Sequence, residues 1–193
     1  MKTLILSVGH DNGRNWIQSW KRWIKSLYGD KGASGNWTTE YDTVRAIIDG
    51  IMLKGIPGVR LVRVPDGLNL DERIKWINDS IPHVSEPFAI EMHLDSATPD
   101  ARWASVWYAD GNGYTKWEGW QFLAKFTQYT WLSSRHVNAD STNRWGRLWF
   151  VRETKCASLL IELGFISNKA ELATLKVKAV DGVILGIQEM NKS

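Results

Sequence analysis

Short apolar runs alternate along this chain with longer stretches of helical period. Residues 4–8 form an apolar run and 59–64 alternate polar with apolar. Further runs at 88–94, 104–108, 148–151 and 158–162 complete the expected strands. Between them, residues 39–53, 70–81, 114–131 and 170–190 carry helical spacing, the last with an expected break near Lys176. Gly-rich and polar stretches at 29–36, 110–113 and 133–144 read as loops. Strands apolar on both faces, separated by amphipathic helices, predict an α/β fold with a mostly parallel twisted sheet. No internal repeat and no Pro/Ser-rich linker interrupts the pattern, so a single domain is expected.

Composition narrows this picture only slightly. A chain of 193 residues with 44% hydrophobic and 23% charged residues can bury an ordinary core, which excludes disorder. The lone Cys156 cannot form an internal disulfide. The net charge of +3 tolerates an anionic polymer or surface but is far from a nucleic-acid signature. The apolar run near the N-terminus is too short for a secretory signal, and no segment approaches the roughly 20 apolar residues of a membrane span. The expected product is therefore soluble, made in the cytoplasm without a signal peptide. Twelve tryptophans are the compositional outlier. Trp117, Trp120, Trp103 and Trp107 are expected in the core.

Several of these tryptophans fall in one segment. Trp16, Ile17, Trp20, Trp23, Ile24 and Leu27 recur on one helical face, with Arg14, Lys21, Arg22 and Lys25 around the remainder. The favoured reading is a helical insertion at about 13–28 packed on the domain or, in a homodimer, on a second copy. The alternative is a basic amphipathic helix touching anionic membrane or wall polymer.

Residues able to do chemistry sit where the expected strands end. His10 follows the first strand, His93 ends the run at 88–94, and Glu162 ends the run at 158–162; Glu40 lies in the first turn of the helix at 39–53. The carboxyl ends of parallel strands line the crevice where such sheets bind ligands, so these residues can converge. Two imidazoles and a carboxylate with one open position form a catalytic zinc set, and a further carboxylate can serve as general base. A histidine at a strand end is also commonly a hydrogen-bonded structural residue, and spacing alone leaves both roles open. His83 and His136 read as solvated loop residues.

The surrounding motifs resemble those of the zinc-dependent N-acetylmuramoyl-L-alanine amidases. Val8-Gly9-His10-Asp11-Asn12-Gly13 looks like that family's Gly-His ligand turn, and Glu40 stands where the family places its glutamate ligand. Leu70-Asp71-Glu72-Arg73-Ile74-Lys75-Trp76-Ile77-Asn78 is similar to its Leu-x-x-Arg-x-x-x-x-Asn helix, and Met92-His93-Leu94-Asp95-Ser96 to its second histidine ligand. Leu159-Leu160-Ile161-Glu162-Leu163-Gly164-Phe165-Ile166-Ser167-Asn168 looks like its catalytic-glutamate signature, with Asn143-Arg144-Trp145-Gly146 fitting upstream. The resemblance implies a mixed six-stranded sheet flanked by helices, one zinc ion on His10, Glu40 and His93, and Glu162 as catalytic base. It also implies cleavage of the amide between N-acetylmuramic acid and L-alanine in bacterial peptidoglycan, in the manner of a phage endolysin acting at the wall after release. A non-catalytic zinc-containing wall-binding module and a zinc peptidase acting on the stem peptide are the alternatives. Two positions depart from the pattern. Cys156 replaces a common proline and is expected to be a packing residue. Glu91 replaces a small polar residue and is expected to point away from the face of His93.

Overall fold

The computed structural model describes residues 2–10, 31–144, 146–190 and 192. The tryptophan-rich insertion at about 13–28 lies outside the described residues.

The strands are β1 (Thr3–Val8), β2 (Ser34–Gly35), β3 (Thr38–Thr39), β4 (Arg60–Arg63), β5 (Pro87–Asp95), β6 (Ala104–Tyr108), β7 (Ser134–Ala139) and β8 (Ala157–Phe165). The α-helices are α1 (Glu40–Lys54), α2 (Leu70–Ser80), α3 (Gly113–Thr130), α4 (Trp149–Glu153) and α5 (Lys169–Met190). Six strands form one sheet in the order β4-β1-β5-β8-β6-β7, while β2 and β3 make a small hairpin. The neighbours β4, β1, β5 and β8 pair in parallel; β6 runs antiparallel to β8, and β7 runs parallel to β6. The sheet is mixed and mostly parallel, as expected. Among the described residues no helix is long and apolar enough to cross a membrane.

Side-chain alternation splits the core into two layers. Leu4, Leu6 and Val8 of β1, Phe88, Ile90 and Met92 of β5, and Leu159 and Ile161 of β8 face α1, α3 and α5. Ile5, Ala89 and Leu160 face the opposite way, onto Ile74 and Ile77 of α2 and Phe150 and Val151 of α4. Continuing the second face toward the strand ends gives Ser7, Glu91, His93 and Glu162. Polar residues thus replace apolar ones on one face of three adjacent strands, all at the same edge.

Local signals set the helix boundaries. The Thr39 hydroxyl accepts from the backbone N–H of Asp42 at 3.1 Å and caps α1, so Glu40 is held in its first turn. Asn69 and Glu72 form a reciprocal capping box at the start of α2.

Four expectations need correction. Residues 148–151 are not a strand but enter the short α4. Five residues are too few for a helical period to show, and the run Leu148-Trp149-Phe150-Val151 imitates a buried strand. Residues 134–139 are not a loop but the edge strand β7, in which Val137 is the one fully buried residue. No break occurs near Lys176: α5 is continuous, because Leu172, Leu175, Ala179, Val183, Gly186 and Ile187 keep an unbroken buried stripe while Lys176 faces solvent. Trp117 and Trp120 are exposed by 55% and 41% rather than buried. The core face of α3 instead carries Thr115, Gly119, Phe122, Leu123 and Phe126, since the helix lies too close to the sheet for indoles. A Cβ on Gly119 would meet Val106 and Val137 at 3.0 Å. Trp103, just before β6, and Trp107 within it are half-buried.

α5 crosses α3 at similarly close range. A methyl group at Gly186 would lie 2.7 Å from Cδ2 of Phe122 and 3.1 Å from its carbonyl oxygen. Gly186→Ala is therefore expected to destabilise the protein by about 1–3 kcal/mol, even though alanine is favoured in helices by about 1 kcal/mol. A thermal melt checks this, and an unchanged or raised Tm would show slack between the helices.

Candidate metal centre

The carboxyl edge of β1, β5 and β8 gathers three of the expected residues into a tight group. One ligand atom each from His10, Glu40 and His93 lies within 4.8 Å of the others. Glu40 Oε1 stands 2.9 Å from His93 Nδ1 and 3.2 Å from His10 Nε2. The two imidazoles meet edge to face with centroids 5.1 Å apart.

Each side chain is set by its element. β1 delivers His10 through the turn at Gly9. A Cβ on Gly9 would fall 2.0–2.3 Å from the ring of His93, so only glycine lets the two histidines come together. Glu40 crosses the strand ends from α1, and its carboxylate is fixed by two backbone donors: Leu94 N–H to Oε1 at 3.0 Å and Ala33 N–H to Oε2 at 2.9 Å.

Glu162 lies one strand over, in direct register with His93 across the β5–β8 pair. Its Oε2 is shut from solvent and has no hydrogen-bond partner among the described residues. β8 runs on past it to Phe165, three residues beyond the expected end.

Glu91 corrects another expectation. Two residues apart on a strand, Glu91 and His93 share a face rather than opposing one another, and Glu91 Oε1 lies 3.1 Å from His93 Nε2. Arg73 of α2 donates from Nε to Glu91 Oε2 at 3.0 Å. Its guanidinium also donates to the carbonyl of Gly9 at 2.6 Å and to that of Leu68 at 2.9 Å. The Ser7 hydroxyl donates to Glu91 Oε2 at 3.3 Å. Arg73 had no assigned role in the sequence, yet a signal was present. It occupies the inward stripe of α2 beside Ile74 and Ile77, and an arginine there demands a buried anion.

Electrostatics follow from this packing. Burial alone would raise the Glu40 carboxyl, but the two histidines hold it well below the usual carboxylate range. Burial would lower His93, but its contacts with Glu40 and Glu91 raise it well above an ordinary imidazole. For Glu91 burial again works upward, and the Arg73 guanidinium with His93 keeps it below its ordinary value. Glu162 has no such partner among the described residues, and burial pushes it up to about 8. Burial also pushes the Cys156 thiol up to about 11, in keeping with a packing residue rather than a nucleophile.

The remaining histidines stay apart from this group. His83 is exposed in a short turn. His136 is exposed on β7, where the pairing with β6 shifts register and its φ is +79°, and its ring lies 6.4 Å from that of Trp120.

The same architecture is found in solved structures. The catalytic domain of CwlV, an N-acetylmuramoyl-L-alanine amidase from Bacillus (Paenibacillus) polymyxa var. colistinus, superposes with a TM-score of 0.75 at 21% identity, covering 100% of this chain and 99% of that one. An N-acetylmuramoyl-L-alanine amidase from Clostridium difficile 630 gives 0.77 at 16% identity, with 100% and 97% covered. The catalytic domain of the CD27L endolysin, targeting Clostridia difficile, gives 0.68 at 18% identity, with 100% and 98% covered. At these identities the likeness establishes the shared fold. No curated protein sequence matches the chain. The sequence model of one family, N-acetylmuramoyl-L-alanine amidase, matches residues 22–188. On that match, which spans most of its length, the chain belongs to the N-acetylmuramoyl-L-alanine amidase family.

Proposed function

We propose that this chain hydrolyses the amide between the lactyl group of N-acetylmuramic acid and L-alanine in bacterial peptidoglycan, using a zinc ion and Glu162. One observation carries the reading: a compact two-imidazole, one-carboxylate group lies beside the half-buried Glu162, whose Oε2 is shut from solvent and lacks a partner among the described residues, in a chain of this family. The donor set suits zinc, which takes histidine nitrogen and carboxylate oxygen and leaves a position open in catalytic sites. His10, Glu40 and His93 would hold the ion, which supplies Lewis-acid polarisation of the amide carbonyl and acidification of the attacking water.

The chain's own residues do the rest. The backbone donors from Leu94 and Ala33 keep Glu40 aimed at both histidines. Glu162, in register with His93, takes a proton as the water oxygen bonds to the carbonyl carbon. It returns that proton to the alanine nitrogen as the carbon–nitrogen bond breaks. Burial raises its carboxyl from the ordinary carboxylate range, so that it can both take and return a proton.

A lytic role at the cell wall, as in a phage endolysin, belongs to the same proposal. The experiment is digestion of purified sacculi with and without a chelator. The expected product is a new free amino terminus on L-alanine with intact glycan, lost on chelation and restored by zinc. Cleavage inside the stem peptide would replace this reading with a peptidase, and full activity without metal would overturn it.

A further inference from the structure

Glu91 is 2% exposed, Arg73 5% and Ser7 0%, and together they form a polar island beneath the metal-ligand group. Their geometry is directional. Arg73 and Ser7 both donate to Oε2 of Glu91, which leaves Oε1 for Nε2 of His93. The opposite ring nitrogen, Nδ1, faces Glu40 Oε1, the oxygen that also approaches His10. A neutral imidazole carries one N–H, and an acceptor at Nε2 fixes that hydrogen there, leaving the Nδ1 lone pair for a metal. The guanidinium of Arg73 also holds the carbonyl of Gly9, the residue that delivers His10.

Resting on the metal-centre reading above, we propose that Glu91 is a positioning residue for the metal. Clamped by Arg73 and Ser7, it sets the tautomer and ring orientation of His93, and through Arg73 the same buried brace fixes the turn carrying His10. An outer carboxylate of this kind typically contributes 10- to 100-fold in metal affinity. Two resident charges beneath the site thus serve the ligands rather than the stability of the fold, since buried pairs are weak stabilisers against apolar replacements.

The test is zinc affinity by chelator competition, read alongside the d–d absorption of the cobalt(II) form. Glu91→Ala is expected to bind zinc about 10- to 100-fold more weakly and to shift the cobalt bands. Glu91→Gln, whose side-chain oxygen can still accept from Nε2, should recover part of that loss. Glu91→Ala leaves Arg73 buried without its anion, so the double variant Glu91→Met with Arg73→Met removes both charges and keeps the test independent of folding. Its affinity should remain reduced. Wild-type affinity and spectrum in the double variant, or in Glu91→Ala, would overturn the proposal while leaving the metal centre standing. A folded wild-type chain that takes up no zinc would overturn both.

Discussion

Replacing Glu162 with glutamine is expected to lower amidase turnover by about 10²- to 10⁴-fold, the usual weight of a general base, while zinc content stays at the wild-type level. The side chain is isosteric and is not among the three grouped donors, so metal uptake is not its task. Turnover on sacculi with parallel metal analysis checks this. Loss of zinc together with activity would make Glu162 a ligand, and retained activity would remove it from the chemistry. A second consequence concerns the metal-free protein. With a folded value of about 8 against an ordinary 4.5, Glu162 keeps a proton that the unfolded chain releases. Its contribution to stability is fully present below about 4.5 and is lost as pH rises through about 8. Glu162→Gln lacks that slope, so its stability relative to wild type should improve from pH 5 to pH 9 in denaturant titrations. A constant gap would show that the carboxyl is not held protonated.

The residues that make this site were more legible than the frame around them, for physical reasons. β1, β5 and β8 are buried on both faces, so their runs stand out and their polar ends mark His10, His93 and Glu162. β7 shows the reverse: an exposed edge strand has little to bury, and Ser134-Arg135-His136-Val137-Asn138-Ala139 carries no apolar alternation. On α3 side-chain size does not track burial. Close approach to the sheet selects Gly119 and Thr115 for the inner face and sends Trp117 and Trp120 out. Glu91 lies one step of strand parity from its expected face. Its counter-charge, Arg73 on the inner stripe of α2, lies 18 positions earlier, and only the tertiary fold brings the two together.

Metal uptake is expected to release protons, and zinc affinity to fall by about tenfold for each pH unit below the titration of His93. In the metal-free chain His93 lies between two carboxylates that raise it well above an ordinary imidazole, so the slope should run through neutral pH rather than begin in acid. Glu40, held well below the usual carboxylate range, is already ionised there and adds no proton of its own. Glu162 complicates the count, because a cation beside it should also expel its proton near pH 8. Measuring in the Glu162→Gln background removes that proton and leaves the imidazole donors as the source of the slope. His93→Ala should lose zinc altogether, since the group then keeps only two donors. Affinity that stays flat between pH 6 and 8, with no acidification of a weakly buffered solution on adding zinc, would mean that metal does not displace a proton from His93. His93 would then already be neutral in the metal-free chain, with its one hydrogen on Nε2 facing Glu91.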